Sequence, residues 1–152
     1  MAFISEKDPG LIPKILSIIL VECINGVTLA DPDQEDMPIV YVNKAFERMT
    51  GYSQTEIIGH NCRFLQGKDR EQEARYELGE AIGKQQAIEV TLRNYKKCGE
   101  LFYNRLKLIP LFSTKGKLIY FLGVQYDVTD QVNAQNEITK LKQVIDDFSD
   151  SD

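Results

Sequence analysis

Three carboxamide side chains stand where the strand pattern expects apolar core residues. Side chains alternate between the two faces of a strand, so Asn94 points with the apolar residues of its strand. The same alternation puts Asn104 and Gln125 on the apolar faces of the next two strands. A buried amide without partners costs about 1–3 kcal/mol. The three amides therefore predict either a hydrogen-bonded network with one another and water, or a ligand. A flat heteroaromatic with alternating C=O and N–H groups along one edge fits the second case.

The cysteines, the histidine and the glycine-rich segment of this chain do not form a disulfide framework, a metal site or a nucleotide-binding loop by their spacing. The cysteines, Cys23, Cys62 and Cys98, are odd in number and far apart, which favours a reducing, cytoplasmic setting over a disulfide framework. The only histidine, His60, and Cys62 are too weak a pair for a metal site without a second pair of ligands, so we expect no metal. The sequence GEAIGKQ at 79–85 lacks the spacing and the Ser or Thr of a nucleotide-binding loop.

Composition places the chain among ordinary globular domains. Its 152 residues suit one core with a flanking helix, and 43% hydrophobic and 27% charged residues are unlike a disordered chain. The net charge of −5 works against nucleic acid as the main partner. The longest apolar run, Ile15 to Val21, is too short to span a bilayer and has no features of a signal peptide, so no membrane partner is expected.

The elements that must position the amides are strands and short helices. Strands are predicted at Val27 to Ala30, Ile39 to Val42, Ile88 to Tyr95, Leu101 to Leu111 and Leu118 to Val128. Asn43 is predicted to cap a short helix, and Ser53 with Glu56 forms a capping box before a second one. A longer helix is predicted from Asp69 to Ile82. The fold class is therefore α+β, with a five-stranded antiparallel sheet and short helices on one face.

The ends of the chain are predicted to be helical and apolar. A helix from Leu11 to Cys23 has almost no polar face, and the stretch from Thr129 is also helix-permissive. This second helix carries apolar residues at the three and four residue spacing of a coiled-coil seam: Ile138, Leu141, Ile145 and Phe148. The last strand is apolar on both faces, so a terminal helix or a second subunit is expected to cover it. We therefore divide the chain into a cap helix (1–25), a core (26–128) and a C-terminal linker helix with a frayed tail (129–152), and expect a homodimer through the terminal helices.

One segment resembles a family signature. Residues 59–67 read GHNCRFLQG, which is similar to the signature of light-oxygen-voltage (LOV) domains, the blue-light-sensing branch of the PAS fold. VNKAFERMTGYSQTEIIG precedes it, and RNYKKCGELFYN and YFLGVQYDVTD follow, so the resemblance extends from Val27 to Asp130 and is closest to short bacterial photoreceptors. It implies a PAS fold that holds flavin mononucleotide (FMN) non-covalently between the sheet and the short helices, with Cys62 beneath the ring.

The resemblance also implies roles for individual residues. Asn94 and Asn104 would hold the pyrimidine edge of the ring, and Gln125 would sit beside its O4 and N5 atoms. Asn61 and Gln66 would contact the ribityl chain and nearby polar atoms. The apolar walls would be Phe46, Leu65, Leu108, Phe121 and Gly123.

The phosphate would be held by arginines. Arg63 matches the family's phosphate-binding arginine, and a guanidinium fork suits a phosphate well. Arg70 and Arg75 resemble additional arginines that some short bacterial members place around the phosphate. Gly79 stands where many members have another arginine, which makes the clamp incomplete.

The implied activity is photochemical rather than enzymatic. Blue light would drive a reversible bond between the Cys62 sulfur and flavin C4a, and the Gln125 amide would rotate as N5 gains a proton. The signal would leave through the last strand into the C-terminal helix, and reach a dimer interface or an effector outside this chain. His60, next to the signature, is a candidate for assisting decay of the adduct, and a solvated surface histidine is the simpler interpretation.

Two other functions stay open. A flavin redox enzyme would use the same cofactor, but the chain has no nicotinamide-binding fingerprint. A non-photochemical PAS module would bind a flavin or another small ligand, or serve only for dimerisation. Replacing Cys62 separates these functions, because only the photoreceptor would lose a photocycle.

Overall fold

The computed structural model of the protein describes residues 24–150, so the predicted helix at 11–23 lies outside the described residues. One antiparallel sheet of five strands runs in the spatial order β2-β1-β5-β4-β3. The strands are β1 (Gly26–Ala30), β2 (Ile39–Val42), β3 (Ile88–Tyr95), β4 (Leu101–Phe112) and β5 (Leu118–Asp127). The helices are α1 (Lys44–Thr50), α2 (Gln54–Ile57), a 3₁₀ helix (Cys62–Gln66), α3 (Glu73–Gly83) and α4 (Thr129–Asp150). The predicted α+β class and the five-stranded antiparallel sheet are confirmed.

The strand predictions are accurate to one residue, because period-two alternation is strong in this part of the chain. β2 and β3 have the predicted bounds, β1 begins one residue earlier, β4 extends one residue further and β5 ends one residue earlier. In the register of the sheet, Leu92 lies opposite Asn104 and Leu106 lies opposite Gln125. The apolar and amide side chains of neighbouring strands therefore share one face, which we call the inner face.

Helix α1 begins where the sequence predicts, and its cap also fixes β1. The Asn43 side-chain oxygen accepts hydrogen bonds from the Phe46 N–H (3.0 Å) and from the Val27 N–H (2.9 Å). One buried carboxamide thus joins the start of α1 to strand β1 of the sheet. The capping box of Ser53 and Glu56 at the start of α2 is also confirmed.

The predicted start of the long helix is wrong. It was expected at Asp69, but α3 begins at Glu73, and Gln72 is extended with φ −132° and ψ 131°. The cause is tertiary: Asp69 and Gln72 use their side chains to bind β3. These contacts hold the four residues before Glu73 in a non-helical path.

Apolar side chains form two clusters on the inner face and one on the outer face. One inner cluster lies under the short helices and contains Ile39, Val42, Phe46, Ile57 and Leu65. The other lies against α3 and contains Ala30, Leu78, Val90, Leu92, Leu106, Leu108 and Phe121. The outer cluster contains Val27, Leu29, Ile119, Tyr120 and Leu122. Tyr120 is 1% exposed and Leu122 is 6% exposed, so part of the second face of β5 is buried, while its cover by a terminal helix or a second subunit stays a prediction.

Helix α4 leaves the sheet at the end of β5 and is fastened there. The Thr129 hydroxyl oxygen accepts from the Tyr103 N–H (3.0 Å), and the Val128 N–H donates to the Tyr103 carbonyl (2.9 Å). No residue of α4 is buried, and its large apolar side chains are exposed: Ile138, Leu141, Val144, Ile145 and Phe148. Within residues 24–150, none of the helices combines the length and the apolar character needed to cross a membrane.

Candidate functional site

The three amides predicted to face the core lie together on the inner face of β3, β4 and β5. Asn94 and Asn104 are each 2% exposed and Gln125 is 3% exposed. The Asn104 Nδ2 donates to the Asn94 Oδ1 at 3.0 Å, and the Asn94 Nδ2 donates to the Arg93 carbonyl at 3.0 Å. The Gln125 Nε2 donates to the Thr28 hydroxyl at 3.1 Å. The network predicted as one alternative is therefore present in part.

This network leaves acceptor atoms unpaired. Within the described part of the chain, three buried side-chain oxygens have no hydrogen-bond partner: Gln66 Oε1, Asn104 Oδ1 and Gln125 Oε1. Asn104 and Gln125 lie on the sheet, and Gln66 lies on the 3₁₀ helix that packs near β3. Each such oxygen costs about 1–3 kcal/mol, and native structures keep few of them. The layer between sheet and helices therefore suits a molecule with hydrogen-bond donors and a polar edge.

The apolar walls implied by the resemblance come from both inner clusters. Phe46 and Leu65 belong to the cluster under the short helices, and Leu108 and Phe121 belong to the cluster against α3. All four side chains are buried. A site bounded by these residues would draw its apolar contacts from both the sheet and the helices, as a flat aromatic ligand needs.

Gly123 has a steric reason to lack a side chain. A Cβ atom at this position would lie 2.5 Å from the Thr28 Oγ1 and 2.9 Å from the Gln125 Nε2. Real Cβ atoms essentially never approach so closely, so an alanine would displace the hydroxyl or the amide. The backbone of β5 is thus kept open next to Gln125.

Cys62 is the first residue of the 3₁₀ helix, and Asn61 caps it. The Asn61 side-chain oxygen accepts from the Arg63 N–H (3.0 Å), while its Nδ2 donates to the Asp36 carbonyl (2.7 Å). Cys62 is half-buried and packs against the cluster under the short helices. Desolvation is the largest influence on the thiol and raises its pKa, although the charges of Arg63 and Arg70 act in the opposite direction. The group is therefore a thiol rather than a thiolate at neutral pH.

The three arginines differ in their surroundings. Arg63 is paired with the Asp36 carboxylate, and this pair holds the pKa of Asp36 below its usual value. Arg75 donates from Nη1 to the Arg70 carbonyl at 3.2 Å, and its guanidinium lies 5.1 Å from the centre of the Tyr76 ring. Arg70 is half-buried, and its charge reaches Cys62. All three lie on or beside the segment that joins the 3₁₀ helix to α3.

Sequence reasoning missed Thr28, Asp36 and the pair Asp69 and Gln72. Thr28 alternates with two buried apolar neighbours on β1, so strand periodicity would have placed its hydroxyl on the inner face beside β5. Asp36 lies in the β1–β2 connection with a positive φ of 64°, and no local pattern predicts its pairing. His60 is exposed, as expected for a solvated histidine.

Comparison with known proteins matches this architecture. Residues 24–130 match the PAS domain family. A blue-light photoreceptor from Listeria innocua is 43% identical over 115 residues, and the alignment covers 76% of this chain and 45% of the relative. The chain thus spans less than half the length of that relative.

Solved structures give the same result. The LOV domain from an Erythrobacter litoralis blue-light activated histidine kinase is 44% identical with a TM-score of 0.65, covering 69% of this chain and 96% of the neighbour. An RNA-binding light-oxygen-voltage receptor is 33% identical with a TM-score of 0.80, covering 92% of this chain and 39% of the neighbour.

Proposed function

Because the chain belongs to the light-oxygen-voltage branch of the PAS domain family, we propose that it is a blue-light sensor that binds FMN and uses Cys62 as its photochemical nucleophile. When bound, the flavin would supply absorption of blue light and an electrophilic ring carbon, and Cys62 would be the residue that reacts with it reversibly. In this proposal the protein is a photosensor and has no enzymatic activity of its own.

The observation that carries the proposal is the set of three unpaired buried oxygens, on Gln66, Asn104 and Gln125. A module that only dimerises gains nothing from burying them, because each weakens the fold. The ring N–H and the ribityl hydroxyls of FMN would donate to oxygens of this kind in the dark, and N5 would donate to the Gln125 oxygen once it gains a proton, with Asn94 oriented by its bond from Asn104. The same residues are the ones that the family resemblance implies.

The phosphate end of the site involves the arginines. Arg63 would exchange the Asp36 carboxylate for the phosphate, since the two anions compete for one guanidinium fork. Arg70 and Arg75 would add positive charge beside it. Asn61 would stay where it is, because its side chain caps the 3₁₀ helix and bonds the Asp36 backbone.

The Cys62 thiol would supply the proton of the reaction, and the Gln125 amide would respond to the change in the ring. Cys62 holds its proton at Sγ, because burial raises the pKa of the thiol, so it would bring both sulfur and proton to the reaction. The Gln125 amide is bonded through Nε2 to the Thr28 hydroxyl, and a hydroxyl both accepts and donates. Thr28 would therefore accept either orientation of the amide, which lets Gln125 rotate without losing this partner.

The output would pass from β5 into α4. Gln125 lies close in sequence to Thr129, where α4 is fastened to β4, and the exposed apolar stripe of α4 suits a second copy of this chain. An effector would lie in another part of a longer chain or in a partner, and the net charge of −5 makes nucleic acid a poor direct ligand of this segment. The two free cysteines, Cys62 and Cys98, among the described residues suit a cytoplasmic location.

The test is the visible absorption of the purified protein in the dark, after a blue flash and during recovery. The proposal expects a structured blue band that bleaches and returns. Cys62→Ala should keep the band and lose the bleaching, while the matched control Cys98→Ala, at an exposed turn, should behave as wild type. A flavin band that never bleaches would overturn the photochemistry and favour the non-photochemical PAS module. A protein that takes up no flavin after reconstitution would overturn the cofactor as well.

A further inference from the structure

The segment between the 3₁₀ helix and α3 runs along the free edge of the sheet, beside β3. Gln72 lies in this segment, is 4% exposed and binds both backbone groups of one β3 residue. Its Oε1 accepts from the Arg93 N–H at 2.8 Å, and its Nε2 donates to the Arg93 carbonyl at 3.0 Å. One side chain therefore substitutes for a neighbouring strand at this point of the edge.

Asp69 fastens the same segment to side chains of β3. Its two carboxylate oxygens accept from the Arg93 Nε (2.7 Å) and Nη2 (2.8 Å), a paired geometry that favours the charged form. The Tyr95 hydroxyl donates to the same carboxylate at 2.7 Å. The Gln72 Nε2 also donates to the Asp69 carbonyl, at 2.6 Å, so the two attachments are themselves linked.

This attachment leads directly to the amides of the candidate site. The Arg93 carbonyl accepts from the Gln72 Nε2 and also from the Asn94 Nδ2, at 3.0 Å in each case. Asn94 in turn accepts from Asn104, whose own oxygen is one of the unpaired acceptors. A continuous chain of hydrogen bonds thus runs from the edge segment to the centre of the site. The same segment carries Arg70, between Asp69 and Gln72 in the sequence.

We propose that Asp69 and Gln72 form a clamp on Arg93 that fixes the position of Arg70 relative to Asn94, and that this clamp determines the preference of the site for a flavin with a terminal phosphate. The inference rests on the proposed function, because it concerns the two ends of the proposed FMN site. Asp69 and Gln72 are positioning residues: they act through Arg70 and Asn94.

The experiment compares two ligands so that the effect on Arg70 can be separated from a general loss of affinity. FMN and riboflavin share the ring and differ in the phosphate. A displaced Asn94 would lower the affinity for both flavins by the same factor, and this factor cancels in the ratio of their dissociation constants. Release of Arg70 weakens only FMN. Gln72→Leu in the full chain should lower the preference for FMN over riboflavin by about three- to tenfold, the size expected when a charge-assisted contact loses its fixed geometry.

Two variants refine the test. Gln72→Glu keeps an acceptor for the Arg93 N–H, but it removes the donor to the Arg93 and Asp69 carbonyls and adds a negative charge in the segment that carries Arg70, so its ratio should also fall below that of wild type. The matched control is Glu89→Gln. Glu89 lies on β3, as Arg93 does, and its exposed ion pair with Arg105 of β4 is not part of the clamp. The ratio of this variant should equal that of wild type.

A second readout does not depend on flavin. Hydrogen exchange of the Arg93 backbone N–H in the flavin-free full chain should become at least about tenfold faster in Gln72→Leu, because this N–H loses its only acceptor among the described residues. Glu89→Gln should leave it unchanged. If wild type binds both flavins and Gln72→Leu leaves the ratio of their dissociation constants unaltered, the clamp is overturned, even if exchange of the Arg93 N–H is faster. The proposed function would still stand in that case. Wild type that binds neither flavin would overturn the proposed function and this inference with it.

Discussion

Replacing Gln125 by leucine should leave the stability of the flavin-free protein almost unchanged and should weaken flavin binding. The side chain is buried at 3% exposure, with one amide group satisfied and the other not: Nε2 donates to the Thr28 hydroxyl at 3.1 Å, and Oε1 has no partner. Leucine has a similar size and no polar atoms. The substitution therefore removes one good hydrogen bond and one unsatisfied oxygen at the same time.

The magnitude follows from these two terms. Removing an unsatisfied buried oxygen gains about 1–3 kcal/mol, but losing the hydrogen bond leaves the Thr28 hydroxyl unpaired at a similar cost, so Gln125→Leu should change the stability of the flavin-free protein by less than about 1 kcal/mol. In the loaded protein the substitution should be unfavourable, because O4 and N5 of the oxidised ring accept hydrogen bonds and would lose the Gln125 Nε2 as a donor. Flavin affinity should fall about tenfold, equivalent to about 1.4 kcal/mol.

Urea unfolding of the flavin-free protein measures the first effect, and flavin titration measures the second. A double-mutant cycle with Thr28→Val sharpens the result. In wild type, Thr28→Val leaves the Gln125 Nε2 unpaired as well and should cost about 1–3 kcal/mol. In the Gln125→Leu background the same change removes an unpaired buried hydroxyl, so it should cost nothing and should stabilise the protein by up to about 1 kcal/mol. Gln86→Leu, at an exposed glutamine, is the control and should change stability by less than about 0.5 kcal/mol.

One outcome refutes the reasoning directly. If Gln125→Leu lowers the stability of the flavin-free protein by about 1 kcal/mol or more, the Gln125 oxygen is satisfied in solution and the orphaned acceptors do not indicate a ligand. Equal effects of Thr28→Val in both backgrounds would likewise show that the two side chains are not coupled.

Three further predictions concern other parts of the site. Gly123→Ala should abolish or greatly weaken flavin uptake and destabilise the protein by about 1–3 kcal/mol, measured by urea unfolding, because its Cβ would lie 2.5 Å from a hydroxyl oxygen of β1; unchanged flavin uptake would contradict the tight fit. The Arg93 guanidinium lowers the pKa of Asp69 to about 2, below its ordinary 3.8, so this pair stabilises the fold above about pH 4 and the stabilisation is lost as the pH falls towards 2. Urea midpoints of Asp69→Asn should therefore depend less on pH in this range than those of wild type, and parallel curves would refute the assignment. Iodoacetamide should alkylate Cys62 at least about tenfold more slowly than the exposed Cys98 at about pH 8, as followed by peptide mass spectrometry, since burial raises the pKa of the Cys62 thiol; equal rates would show that the thiol is not desolvated.

Local patterns predicted the features that depend on neighbours in sequence. Alternation along β3, β4 and β5 placed Asn94, Asn104 and Gln125 in the core, and short-range capping signals located the start of α1 and α2. The NCRFLQ segment identified the family and made Cys62 the candidate nucleophile, because a specific motif carries information that periodicity does not.

Pairings between distant residues were not predictable in this way. Asp69 and Arg93 are 24 residues apart, and Gln125 and Thr28 are 97 apart, so nothing in either local sequence reports the partner. The start of α3 was misplaced for this reason: helix propensity favoured residues 69–72, and their bonds to the edge of the sheet overrode it.

The long C-terminal helix also has a mechanical consequence. With 22 residues at 1.5 Å each, α4 is a rod about 33 Å long, and its attachment to the sheet is at its first residue, Thr129. A tilt of about 10° at that pivot would move the far end by about 6 Å, roughly one helical turn. The helix therefore acts as a lever that amplifies a small displacement at its base. A rearrangement of a single hydrogen bond near the end of β5 would become a movement at the far end of α4. That movement would be large enough to change which side chains of two adjacent copies of α4 face one another.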